Sequence, residues 1–190
     1  MNDYSSANSP AEEHREVAAA FTTTVTGVAE EQWELPAPPE GWVARDVVAH
    51  LIEWFPAFLR GSTGLELPEG PDVQVDPVGA WQAQTAAVQA LLDDPTTAET
   101  EYDFGPLGTM SLADAISMVY IGDVFLHRWD LARATGQDET LDPDRCARML
   151  AGMEPMDEVM RRSGHYGPRV AVAADADVQT RLLAFIGRTP

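Results

Sequence analysis

At 190 residues, with 31 acidic against 12 basic side chains and a formal net charge of −19, the chain can bury a sizeable core in one domain, and its charge is repelled by nucleic-acid phosphates and anionic membranes. All 12 basic residues are arginine; the absence of lysine excludes a phosphate-loop lysine and a Schiff-base lysine. Cys146 is the one cysteine, so neither an internal disulfide framework nor a cysteine-based zinc cluster can form.

The N-terminal stretch MNDYSSANSPAEEH has neither the basic start nor the hydrophobic run of a targeting segment, and no apolar run reaches the roughly 18 residues of a membrane helix. The expectation is a soluble, cytoplasmic, single domain over residues 1–190. Ser9-Pro10-Ala11-Glu12 is a capping box with proline at the first helical position, and Val17, Phe21, Val25 and Val28 recur at helical spacing, predicting a first helix from Pro10 to about Ala29. LPAPPEGW is too proline-rich to continue it and reads as an ordered turn. A second helix begins near Val43 and carries Val47, Leu51, Trp54 and Phe58 on one stripe, with His50 at the stripe's edge. Pro56 should kink this helix or end its regular part, and residues 61–75 read as a long crossover loop.

Asp76-Pro77 opens a third helix with Val78, Trp81, Thr85, Val88 and Leu92 inward, and DDPTT closes it. TEYDFGPLGTM reads as an extended excursion or short hairpin. Ser111-Leu112-Ala113-Asp114 starts a fourth helix that runs to Thr135, with Gly136 just past its end. Asp142-Pro143 starts another, in which Met149, Met153, Met156 and Met160 repeat on one side and Pro155 should introduce a bend. A short extended piece at Val170–Ala173 and a last helix at about Val178–Ile186 finish the chain. Four longer helices with short appendages predict an all-α fold, an antiparallel four-helix bundle with a long crossover loop.

Within YIGDVFLHRWDLARATGQ, Asp123 and His127 lie four residues apart, about 40° from each other around the helix, in the middle of its apolar face. Polar groups there must be satisfied by neighbours or by a ligand. A carboxylate and an imidazole at this spacing can share a cation, and His50 is the one good candidate for a third donor from another helix. Two histidines and one carboxylate leave coordination positions open and suit zinc, iron, nickel, cobalt or manganese. The competing reading is a buried Asp123–His127 hydrogen bond with His50 packed separately, and spacing does not choose between them.

Three stretches, EGWVARDVVAHLIEW, GDVFLHRWDLARATGQ and the closing YGPRVAVAADADVQTRLLAFIGRTP, carry a resemblance that covers roughly residues 10–190. The pairing of G-W-x-x-R-D-x-x-x-H with H-x-W-D-L-A-x-A-T-G resembles actinobacterial metal-binding proteins related to the N-terminal domain of mycothiol-dependent maleylpyruvate isomerase, within the DinB-like superfamily. The resemblance implies a four-helix bundle in which His50, Asp123 and His127 hold a divalent metal, zinc in the isomerase. The chain departs from the isomerase branch in two respects. Asp123 stands where that branch has glutamate, a shorter reach that bears on metal choice, and the separate C-terminal domain that takes part in catalysis there has no counterpart in the short stretch after Gly164.

The enzymatic expectation is a metal- and thiol-dependent transferase or isomerase, with mycothiol as the thiol. Its alternatives are a non-catalytic module that binds a metal or small ligand, and a polar core network without metal. Helical bundles often pair, so a homodimer is a partner to test alongside a small-molecule or thiol ligand. Among other residues, Asp130 could orient His127 or pair with Arg133 or Arg45, and Trp54 and Trp129 read as core or as cavity walls. The methionine row reads as core filling or as a lid. Arg45 and Asp46 could pair locally, with anion binding by Arg45 an alternative. His14 and His165 read as solvated, and Cys146 as a buried structural thiol.

Overall fold

The computed structural model describes residues 9–163 and 166–190; His165 lies outside the described residues. The N-terminal capping box forms: the Glu12 N–H donates to Ser9 Oγ at 3.3 Å, and the Ser9 N–H donates to Glu12 Oε2 at 2.9 Å. Helix α1 is Pro10–Thr26, ending just short of its expected limit. Gly27 follows its last residue, and Gln137 lies across that end: its Nε2 donates to Thr24 O at 2.9 Å, and a Cβ at Gly27 would stand 2.5 Å from Gln137 Oε1.

Helix α2, Ala44–Thr63, continues past Pro56 and stops at Gly64, whose φ of 75° is the left-handed cap that glycine adopts without strain. Of the two expectations for Pro56, a kink or an end to the helix, the second is not met. Phe55 and Leu59, on either side of the proline, are fully buried and hold the segment helical despite the hydrogen bond that proline removes.

Helix α3 is Pro77–Asp93, capped by Asp76, whose Oδ1 accepts the Gly79 N–H at 2.8 Å. Its inner face is rotated from the expected one: Ala80, Trp81, Gln84, Val88 and Leu92 are buried, while Val78 and Thr85 are half-buried. A single turn, α4, covers Pro95–Ala98. The expected hairpin forms as β1, Glu101–Asp103, and β2, Thr109–Ser111, antiparallel with Tyr102 opposite Met110. Ser111 then caps α5, Leu112–Ala115, by accepting the Asp114 N–H at 3.1 Å.

From α5 the chain passes through a π-helical stretch, Ile116–Ile121, into α6, Gly122–Thr135, closed by Gly136 at φ 67°. Each wider turn accommodates an extra residue and shifts the helical phase, which a constant angular step cannot anticipate. The fourth helix is therefore not a rod with one apolar stripe. Val124, Phe125, Leu126, His127, Trp129, Asp130, Leu131 and Ala132 are all buried, the pattern of a helix enclosed by its neighbours.

The chain divides into two compact units, Met1–Ala37 with Gly41–Gln137, and Pro38–Glu40 with Asp138–Pro190. In the first, α1 packs on α3 and α6, and α2 packs on α6 and α3, giving the expected all-α bundle. Phe21 and Trp81 meet edge to face in its core with centroids 4.5 Å apart, and the Trp81 indole N–H donates to Thr22 Oγ1 at 2.8 Å.

The second unit contains α7, Pro143–Met153, a 3₁₀ turn at Glu154–Met156, α8, Asp157–Ser163, and α9, Val178–Phe185, with α7 packed on α9. Pro155 sits in the turn that separates α7 from α8. The methionine row does not fill a core: Met156 is 51% exposed and Met149, Met153 and Met160 are half-buried. The buried residues of α7 are Cys146 and Leu150, and the methionine row is spread over α7 (Met149, Met153), the 3₁₀ turn (Met156) and α8 (Met160). Residues 170–173 form no strand; the Val170 N–H bonds to Ala184 O at 2.9 Å. Among the described residues no helix is long and apolar enough to cross a membrane.

Candidate metal centre

The structure brings together the three residues singled out from the sequence. His50 on α2 and Asp123 and His127 on α6 offer donor atoms that all lie within 4.8 Å of one another. Asp123 stands between the imidazoles, with Oδ2 3.1 Å from His50 Nε2 and Oδ1 3.4 Å from His127 Nε2. The indole N–H of Trp54, one turn beyond His50, donates to Asp123 Oδ2 at 2.9 Å. Burial works to raise the Asp123 carboxyl pKa, but the charge of His127, the hydrogen bond and charge of His50 and the Trp54 N–H outweigh it and hold it below its ordinary value. The carboxylate is thus kept ionised, as a metal ligand must be.

Two further residues fix the imidazoles. Asp130, fully buried one turn after His127, places Oδ2 2.9 Å from His127 Nδ1, which leaves Nε2 for the cluster. Trp42 stacks on His127, with ring centroids 5.7 Å apart and planes 16° apart, and contacts the His50 ring at 5.1 Å. Trp42 is the tryptophan of the G-W-x-x-R-D-x-x-x-H pattern, a site residue that helical periodicity does not single out. The signal was its place in that motif, since it precedes the helix and falls on no helical stripe.

The remaining expectations sort by burial. Trp129 is core, with the Arg133 guanidinium 5.0 Å from its ring centroid, whereas Trp54 is half-buried at the cluster. Arg45 pairs neither with Asp46 nor with Asp130: it donates to Glu34 Oε1 at 2.9 Å and to Gln74 O at 2.7 Å, fastening the crossover loop. Asp46 instead reaches back from the first turn of α2 to accept the Val43 N–H at 2.9 Å, the reciprocal half of a capping box. His14 is not solvated; it is 1% exposed, with Nδ1 2.8 Å from Gln89 Oε1. Cys146 is fully buried, and burial pushes its thiol up to about 11, the opposite of an activated cysteine.

Ligand bonds of about 2.1 Å around a tetrahedral ion separate neighbouring donors by about 3.4 Å. Taking one donor atom from each residue, the three lie within 4.8 Å of one another, so the side chains would have to draw together around an ion. His50 and Asp123 keep 32% and 25% of their side-chain surface exposed, leaving the cluster approachable.

Comparison with known proteins gives a family and two relatives. The family model described as the mycothiol maleylpyruvate isomerase N-terminal domain matches residues 14–132. Two uncharacterized proteins of Mycobacterium tuberculosis, one from strain CDC 1551 and one from strain H37Rv, are each 28% identical to this chain over 183 residues, spanning 93% of it and 96% of the relative. No solved structure matches significantly.

Proposed function

The chain belongs to the family of mycothiol maleylpyruvate isomerase N-terminal domains, and we propose from that premise that it binds a divalent metal through His50, Asp123 and His127 and uses it on a small thiol ligand. The observation that carries this reading is the convergence of two imidazoles and a carboxylate from two helices on one point. Zinc is the first choice for two nitrogen ligands and one oxygen, with nickel, iron, cobalt and manganese open to the same donors. When bound, such an ion would polarise a carbonyl oxygen or favour the thiolate of a bound thiol.

The protein's own contribution is orientation. Asp130 faces the far nitrogen of His127 at 2.9 Å, the Trp54 N–H donates to one oxygen of Asp123, and Trp42 packs against both imidazole rings. The reaction that fits is a mycothiol-dependent transfer or isomerisation in the cytoplasm, with the chain folding as a single domain. Holding a ligand without turnover is the alternative outcome.

Elemental analysis of tag-free protein tests the metal. About one ion per chain, lost in folded His50→Ala and His127→Ala variants, supports the proposal; no ion after reloading overturns it. A thiol-induced change in the visible spectrum of the cobalt-loaded protein tests the ligand class, and an unchanged spectrum with mycothiol would remove the thiol from the reading.

A further inference from the structure

In the unit that holds the cluster, the described aromatic rings separate into two sets. Phe21, Trp33, Phe55, Trp81, Phe104, Tyr120, Phe125 and Trp129 are buried. The half-buried rings are Trp42, Trp54, Phe58 and Tyr102, and all four belong to one run of ring contacts that begins at the candidate metal ligands. Trp42 touches His50 and His127. His50 is 6.1 Å from Trp54 between centroids, Trp54 is 6.0 Å from Phe58, Phe58 stacks at 5.7 Å and 13° on Phe104, and Phe104 meets Tyr102 at 6.2 Å.

This row is rigidly supported. His50, Trp54 and Phe58 recur every four residues along α2, stepping about 6 Å each time. Beneath them Phe55 and Tyr120 are fully buried and stacked with centroids 4.1 Å apart, and Trp54 contacts both, at 5.7 and 6.2 Å. Single part-exposed aromatic rings on a surface require no explanation, but a contiguous set with a polar cluster at one end has the composition of a ligand site. Because the Trp54 N–H is committed to Asp123, that residue offers a ligand its ring rather than its donor.

We propose that the row from Trp42 to Tyr102 seats the flat apolar body of an aryl ligand whose one anionic head group reaches the ion held by His50, Asp123 and His127. The head-group half of this inference rests on the metal reading above; the aryl half rests on the row of rings. Two steps along α2 span about 12 Å, room for two linked rings beyond the head group.

Hydroxamates with a common metal-binding head separate the two halves. Acetohydroxamate, benzohydroxamate and 4-phenylbenzohydroxamate are titrated calorimetrically into zinc-loaded protein whose zinc content has been measured. The expected result is a gain of about tenfold in affinity from the methyl compound to the phenyl compound, the size of one aromatic contact, and a further gain of a few fold for the biphenyl. Phe58→Ala is expected to abolish the second gain, and Phe58→Leu to retain part of it through its comparable bulk. The ratio of affinities within each variant is the readout, so a general loss of fold or metal does not imitate the effect. Acetohydroxamate binding with no gain along the series overturns the aryl inference and leaves the metal reading standing. Protein that retains no zinc and binds none of the three overturns both.

Discussion

The Nδ1 of His127 lies 2.9 Å from Oδ2 of Asp130, a carboxylate with no solvent exposure. Asp130 sits one turn further along α6 than His127, and its carboxylate faces the imidazole nitrogen that the cluster does not use. Asp130→Asn keeps the volume and removes the charge, so zinc affinity measured by chelator competition should fall about 10- to 100-fold. Unchanged affinity would reduce Asp130 to a packing role.

A ligand that binds only the folded state stabilises it by mass action. Zinc at about 100 times its dissociation constant should add about 2.7 kcal/mol, visible as a rise of several degrees in the melting temperature. Asp123→Asn and His50→Ala should each erase most of that rise while still melting cooperatively in the absence of metal. A rise of equal size in both variants would mean that zinc binds elsewhere.

Residue types and spacing showed most of what positions the cluster. Ser9, Asp76, Ser111 and Asp142 each announced a helix start, and all four accept the backbone N–H that the capping rule requires. Asp123 and His127 were conspicuous because four-residue spacing survives any rotation of the helix as a whole. What the sequence hid depends on tertiary context. The π-helical turn breaks the constant angular step, so the enclosed character of α6 could not be read from periodicity. Pro56 reads as a helix breaker, yet Phe55 and Leu59 anchor the segment on both sides of it. His14, set among charged neighbours in the sequence, is buried, and its partner Gln89 is supplied by a distant helix.

His14 carries a pH prediction. Burial drives its pKa below the ordinary histidine value, with the Gln89 hydrogen bond opposing the shift only in part. The unfolded chain takes up a proton as pH falls through about 6.5, whereas the folded chain resists until a lower pH. The stability associated with neutral His14 is therefore complete above about 6.5 and is lost as pH falls toward the folded value. Urea midpoints of the metal-free protein should drop between pH 7.5 and 5.5, and by less in His14→Phe. An equal drop in both proteins would mean that His14 gains its proton as readily when folded.

Cys146 tests the second unit from the alkaline side. Its side chain is fully buried on α7 beside Leu150, and burial, reinforced by the charges of Asp142 and Asp177, pushes the thiol up to about 11. A thiol in the unfolded chain ionises near 8.5. Between those two values the unfolded chain loses a proton that the folded chain keeps, so stability falls as pH rises through that window. An aromatic disulfide reagent at pH 8 should therefore leave the native thiol unmodified and label one thiol per chain once denaturant is added. Cys146→Val, close in volume and without a proton to lose, should flatten the decline in urea midpoint between pH 8 and 10. Rapid labelling of the native protein would show that the thiol is reached without unfolding and would contradict its burial.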